Sequence, residues 1–251
     1  MRYFIELSYN GTAYSGWQRQ PNALSVQEVI EVALAKVLRQ EIPVVGCGRT
    51  DTGVHARQYF LHFDHESPLP NNFMNRLNKV LPVDIAFYHL REMSPKAHAR
   101  FDAKERAYEY HIVFRKNPFT SQTAYYFPQW KKLDIEKMQA AAKLLLDYPA
   151  FYPFCKSKTD VKTMNCDLRR SEWEILPSQR GIIFHISANR FLRGMVRLIV
   201  GMCLNVGMGK LKLERVKEAL DQQERLVKSL SAPPQGLFLT QVNYEKEDVF
   251  F

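Results

Sequence analysis

Ile42-Pro43-Val44-Val45-Gly46-Cys47-Gly48-Arg49-Thr50-Asp51-Thr52-Gly53-Val54-His55-Ala56-Arg57-Gln58-Tyr59-Phe60-Leu61-His62-Phe63 joins an apolar run to an alternating one through a polar centre. The flanks predict two strands, about Ile42–Cys47 and Gln58–Phe63, and the stretch Gly48–Ala56 predicts the loop between them. Gly48 and Gly53 bracket that loop and supply backbone angles that other residues reach only with strain. One carboxylate, Asp51, sits at its tip between the hydroxyls of Thr50 and Thr52, with Arg49 before it and His55 after it. A loop that aims a carboxylate outward suits nucleophilic or acid–base chemistry. The simpler alternative is a turn in which Asp51 hydrogen-bonds its own backbone. The residues by themselves leave both open.

Working outward, Tyr3, Ile5, Leu7 and Tyr9 alternate with Phe4, Glu6 and Ser8, which predicts a strand ended by Asn10-Gly11. Thr12–Asn22 reads as loop. Ser25 with Glu28 forms a capping box ahead of a helix whose apolar face is Val26, Val29, Ile30, Ala33, Leu34, Val37 and Leu38. Phe73, Met74, Leu77, Val80 and Leu81 predict a second helix that stops before Pro82, and Val83–Arg91 a further strand. The polar, basic stretch His98–Lys104 marks a boundary, giving subdomains 1–104 and 105–251. In the second, Tyr108, Tyr110, Ile112 and Phe114 alternate as a strand, and Asp134 caps a helix carrying Ile135, Met138, Ala142 and Leu145. Tyr148–Asn165 lacks a period and reads as loop. Strands over Leu168–Ile175 and Ile182–Ala188, a helix from Phe191 to about Val206, a shorter one at Leu213–Leu220 and a last strand at Leu237–Tyr244 complete the chain. Strands and helices mix without strict alternation, so the expected class is α+β: a mixed, largely antiparallel sheet with flanking helices.

The 251 residues carry 35 Lys plus Arg against 26 Asp plus Glu, a formal net charge of +9, which favours a polyanionic partner. Cys47, Cys155, Cys166 and Cys203 lack Cys-x-x-Cys or zinc-site spacing, so no metal site, no disulfide and a reducing cytoplasm are expected. Met1 leads straight into a strand, and no apolar run is long enough for a membrane span, so neither signal peptide nor membrane segment is expected. Arg190, Arg193 and Arg197 fall at i, i+3 and i+7 of the predicted helix, and Val200 and Leu204 continue their stripe in apolar form. Arg197 is therefore expected at the margin of burial, where a guanidinium needs an anion, with Asp51 the candidate. The alternative is a solvated basic face.

Gly48-Arg49-Thr50-Asp51-x-Gly53-Val54-His55-Ala56 resembles the signature of the tRNA pseudouridine synthase A family. Four further blocks follow that family in order: Tyr14-x-Gly16-Trp17-Gln18-Arg19-Gln20 with Ser25-Val26-Gln27; His98-Ala99-Arg100-Phe101 with Tyr108-x-Tyr110; Asn189-x-Phe191 with Met195-Val196-Arg197 and Val200-Gly201; and Gly236-Leu237-Phe238-Leu239. The resemblance implies the pseudouridine synthase fold with an active-site cleft between two subdomains, and isomerisation of uridine at positions 38–40 of the tRNA anticodon arm. It also implies a homodimer and no cofactor. It gives Asp51 the catalytic role, Tyr108 that of active-site tyrosine and Arg197 that of the arginine pairing with the aspartate. Arg49, Trp17, Gln18, Arg19, Arg100, Arg193 and Tyr108 become candidates for RNA contact, although Trp17 could equally anchor packing and Tyr108 could be core. Arg106, Lys104, Lys156, Lys158 and Lys162 are weaker candidates for phosphate, and His55 is expected to order the loop. Thr52 stands where the family usually has alanine, and Phe151–Lys162 departs from its pattern. Two rivals remain: an RNA-binding or folding-assistance protein on the same scaffold, or a synthase of the same fold acting on another RNA.

Overall fold

A computed structural model describes residues 1–156, 163–177, 180–226 and 231–245. The candidate phosphate contacts Lys158 and Lys162 lie outside the described residues. The chain divides into two units, Met1–Arg106 together with the chain from Phe238, and Ala107–Leu237. Chain order groups residues 238–245 with the second half of the sequence. Their hydrogen bonds group them with the first unit.

In the first unit, β1 (Arg2–Tyr9) lies antiparallel to both β3 (His55–Asp64) and β4 (Ile85–Met93). The two-residue β2 (Val45–Gly46) pairs antiparallel with β3, and β9 (Leu237–Asn243) pairs parallel to it through His55–Phe238 and Ala56–Leu239. Ile5, Leu7, Tyr59 and Leu61 are fully buried, and the rest of Tyr59–Phe63 is buried with them, so β3 is covered on both faces there. Helices α1 (Val26–Leu38) and α2 (Phe73–Val80) pack on one another and bring in Ile30, Leu34 and Leu77. Ser25 caps α1, its side chain accepting the Glu28 N–H at 3.2 Å. The strand expected over Ile42–Cys47 is shorter: only Val45–Gly46 joins the ladder, although Ile42 and Val44 are buried.

The second unit orders β5 (Glu105–Val113), β8 (Gly181–Ala188) and β7 (Leu168–Ile175), with β7 and β8 antiparallel. The short β6 (Tyr125–Tyr126) runs parallel to β5. Helix α3 (Ile135–Leu144), capped by Asp134, packs against β7, α4 (Met195–Gly207) and α5 (Leu213–Gln222). A Cβ on Gly207 would stand 2.6 Å from Met138 Cγ, so glycine lets α3 and α4 close. Helix α4 begins four residues later than the sequence predicts. Gly194 adopts φ +71°, which breaks helical phase, so Arg190, Phe191 and Arg193 precede the helix and the arginine stripe does not form. These antiparallel pairings and flanking helices make up the expected α+β class.

All four cysteines are free and buried. Burial pushes the Cys47 thiol up to about 11 and the Cys203 thiol up to about 12, so both behave as small apolar groups.

Candidate active site

The Asp51 loop runs from β2 to β3 over a floor made by residues 9–17. The Trp17 N–H donates to the Thr50 carbonyl at 3.3 Å, and the Gly53 N–H to that of Tyr14 at 3.2 Å. The Tyr9 and Thr50 hydroxyls bond at 2.9 Å, and the Tyr59 hydroxyl donates to the Gly48 carbonyl. Two glycines permit this closeness. A Cβ on Gly11 would fall 2.0 Å from the Val54 oxygen, and one on Gly16 would fall 2.3 Å from that of Thr50. Within the loop the Val54 N–H donates to the Asp51 carbonyl at 3.1 Å, closing a turn with Gly53 at φ +75°. Asp51 is partly exposed on this seat, and Arg49 is exposed.

His55 is buried at the start of β3. Its Nδ1 accepts the Gly11 N–H at 3.1 Å, and its ring stacks on Phe238 with centroids 4.6 Å apart. It therefore orders the loop. Trp17 is 2% exposed and stacked on Tyr59 at 4.2 Å, so its ring is taken up by packing beneath the loop. Gln18 and Arg19 are exposed beside α1. The Gln27 side-chain oxygen accepts from the Gln18 amide and the Arg19 N–H, and the Arg19 guanidinium lies 3.3 Å from the Glu31 carboxylate.

Arg100 is exposed. Arg106 turns inward: its guanidinium donates to the carbonyls of Cys47 at 2.8 Å, Arg100 at 2.7 Å and Ala103 at 3.0 Å. Sequence reasoning had no signal for this role, because those carbonyls belong to segments that only folding brings together. The same holds for Gly11 and Gly16, which read from sequence as ordinary turn and loop residues.

In the second unit Tyr108 on β5 is partly exposed, while Tyr110, Ile112 and Phe114 on the same strand face are buried. Its ring meets Phe191 edge-on at 5.1 Å. Arg197 is the one residue of the first two turns of α4 that is not buried. Val200 and Leu204, one and two turns on, are buried, which sets Arg197 at the margin of burial as expected. Its Nε donates to the Ala232 carbonyl at 2.7 Å, and the Ala232 N–H returns to the Arg197 carbonyl at 3.0 Å. Arg193 is exposed ahead of the helix, and its carbonyl accepts the Lys156 N–H at 3.2 Å. Asp51 thus belongs to the first unit, and Tyr108 and Arg197 to the second. Among the described residues no group of three or more His, Cys, Asp or Glu could hold a metal ion, and no helix is long and apolar enough to cross a membrane.

A family model described as tRNA pseudouridine synthase matches residues 7–102 and 141–245. A protein of Bacteroides thetaiotaomicron named tRNA pseudouridine synthase A is 46% identical over 251 residues, covering 99% of this chain and 92% of that protein. One of the same name from Parabacteroides distasonis is 45% identical, covering 98% of this chain and 97% of that protein. Clostridium perfringens has a tRNA pseudouridine synthase A 2 that is 38% identical, covering 96% of this chain and 98% of that protein. With its motif loop matched and near-complete coverage in both directions, this chain belongs to the tRNA pseudouridine synthase family.

Proposed function

We propose that this protein isomerises uridine to pseudouridine in tRNA, at positions 38–40 of the anticodon arm, with Asp51 as the catalytic carboxylate. The observation that carries the reading is the seat of Asp51: a partly exposed carboxylate on a turn fixed by Trp17, Tyr9, Tyr14 and Tyr59. Fixing the carboxylate before substrate arrives removes an ordering cost from the chemical step. The names of the relatives support tRNA as substrate, and the net charge of +9 suits a phosphate backbone.

Substrate and product are isomers. The N1–C1′ bond breaks, the uracil turns, and C5 joins C1′. One proton leaves C5 and one is gained at N1, so no co-reactant is consumed. The target uridine must leave its stack to reach Asp51, and unpairing costs least near the loop of a stem-loop. Tyr108 stacks on the uracil, and its phenol handles the C5 proton. Arg197 supplies positive charge to the site. Arg49, Arg100 and Arg193, all exposed, take backbone phosphates, with Gln18 and Arg19 alongside. The proposed enzyme is a cytoplasmic homodimer whose tRNA spans both subunits, and four reduced cysteines support that compartment.

The test is Asp51→Ala, assayed for pseudouridine in tRNA incubated without added metal or nucleotide. The variant makes no product yet binds tRNA within a few-fold of the parent. Appreciable product from it removes Asp51 from the role. A parent that binds tRNA and makes none leaves the RNA-binding alternative.

A further inference from the structure

Phe101 is 73% exposed, yet it stands on an ordered column of rings. Its centroid lies 4.2 Å from that of His98, His98 lies 4.8 Å from His62, and His62 stacks at 5.5 Å on Phe4, which is 3% exposed. The backbone beneath is pinned at each step. His98 Nδ1 accepts the N–H groups of Arg100 at 3.1 Å and Phe101 at 3.3 Å. His62 Nδ1 accepts the Ala99 N–H at 3.1 Å, and the Tyr244 hydroxyl donates to the Ala99 carbonyl at 2.7 Å. Arg106 then ties the carbonyls of Arg100 and Ala103 to that of Cys47, whose next residue opens the Asp51 loop. The segment carrying Phe101 is thus hydrogen-bonded to the residue that leads into the Asp51 loop.

One cation adjoins that face: the Arg100 guanidinium carbon lies 5.7 Å from the Phe101 ring centroid, while Lys104 pairs with Glu245 at 3.1 Å. A supported, solvent-facing ring beside a guanidinium is the chemistry that receives an unstacked nucleobase. Extrusion of one base strips its neighbours of a stacking partner, and a protein ring can replace the lost surface.

We infer that Phe101 is a stacking platform for a base of the anticodon arm other than the target uridine, its segment tied by Arg106 to the residue that leads into the Asp51 loop. This rests on the synthase reading. Arg106 touches no substrate in it and acts as a positioning residue.

The experiment measures steady-state pseudouridine formation on an unmodified tRNA transcript, with filter binding of the same tRNA, for Phe101→Ala, Phe101→Leu and Phe101→Tyr. The Ala and Leu variants raise KM roughly 5- to 150-fold, far more than they lower kcat, because stacking on an aromatic face is lost. The Tyr variant restores KM, and the exposed position leaves the unfolding temperature unchanged in all three. A Leu variant equal to the parent overturns the platform, as does an unchanged KM in the Ala variant, with or without a change in sedimentation that would assign Phe101 to a contact between copies. A parent that makes no pseudouridine, with a Phe101→Ala variant that loses tRNA affinity by the same factor, upholds the platform and overturns the synthase reading.

Discussion

Gly16 holds φ +86°, and the space where its Cβ would stand is occupied by the Thr50 carbonyl. Alanine there is opposed twice, by the left-handed backbone and by a backbone atom with little room to yield. Thr50 precedes Asp51, so the displacement falls on the carboxylate. Gly16→Ala should lower kcat more than tenfold on the same tRNA, since a misplacement of about 1 Å can cost some hundredfold. Single-turnover kinetics checks this, and an undiminished rate would show that the loop needs no such seat. His62 makes a second residue-scale prediction. Its burial, with Arg2 and His98 nearby, lowers its pKa to about 4, against the weaker opposing pull of Asp64 and Asp102. The neutral ring is also what accepts the Ala99 N–H. In the unfolded chain the imidazole titrates near 6.5. The unfolded state therefore binds more protons between these values, so this contribution to stability is complete above pH 6.5 and is lost progressively down to pH 4. The unfolding temperature of the parent should fall across that window, and that of His62→Gln should fall less. Parallel curves for the two proteins would acquit His62.

At the scale of elements, Gly194→Ala should destabilise the second unit by about 1–2 kcal/mol, the cost of forcing a Cβ into the left-handed region. The new Cβ would also meet the Lys156 side chain, 2.7 Å from its Cε. Urea unfolding measures it, and a neutral result would mean that α4 can start elsewhere. That position also shows what periodicity could and could not disclose. Arg190, Phe191 and Arg193 suit a helical phase as well as Met195 and Arg197 do, and nothing in side-chain order reveals one reversed backbone angle. Ile42 and Val44 read as strand because they belong to an apolar run. They are buried, but an apolar run reports burial and not pairing. The helix starts at Ser25 and Asp134 were legible because a cap is a contact between a side chain and a backbone N–H three residues on. The Asp51 loop was legible as a loop for the same local reason. Its floor at Gly11, Gly16 and Tyr9 was not, because those residues are distant in sequence and carry no mark of their partner.

For the whole molecule, 35 basic against 26 acidic residues imply that tRNA affinity is carried largely by counterion release. Raising salt from roughly 50 to 200 mM should weaken binding by about a thousandfold or more if six or more phosphates are neutralised. Filter binding across that range checks it, and a flat response would argue against a surface that follows the phosphate backbone. The first unit is assembled from both termini: β9, near the end of the chain, lies alongside β3, and Phe238 covers the imidazole that braces the Asp51 loop. Loop and brace are far apart in the sequence, so the loop gains its support only when that distant strand docks. Cutting away β9 should therefore loosen the Asp51 loop without altering one of its own residues.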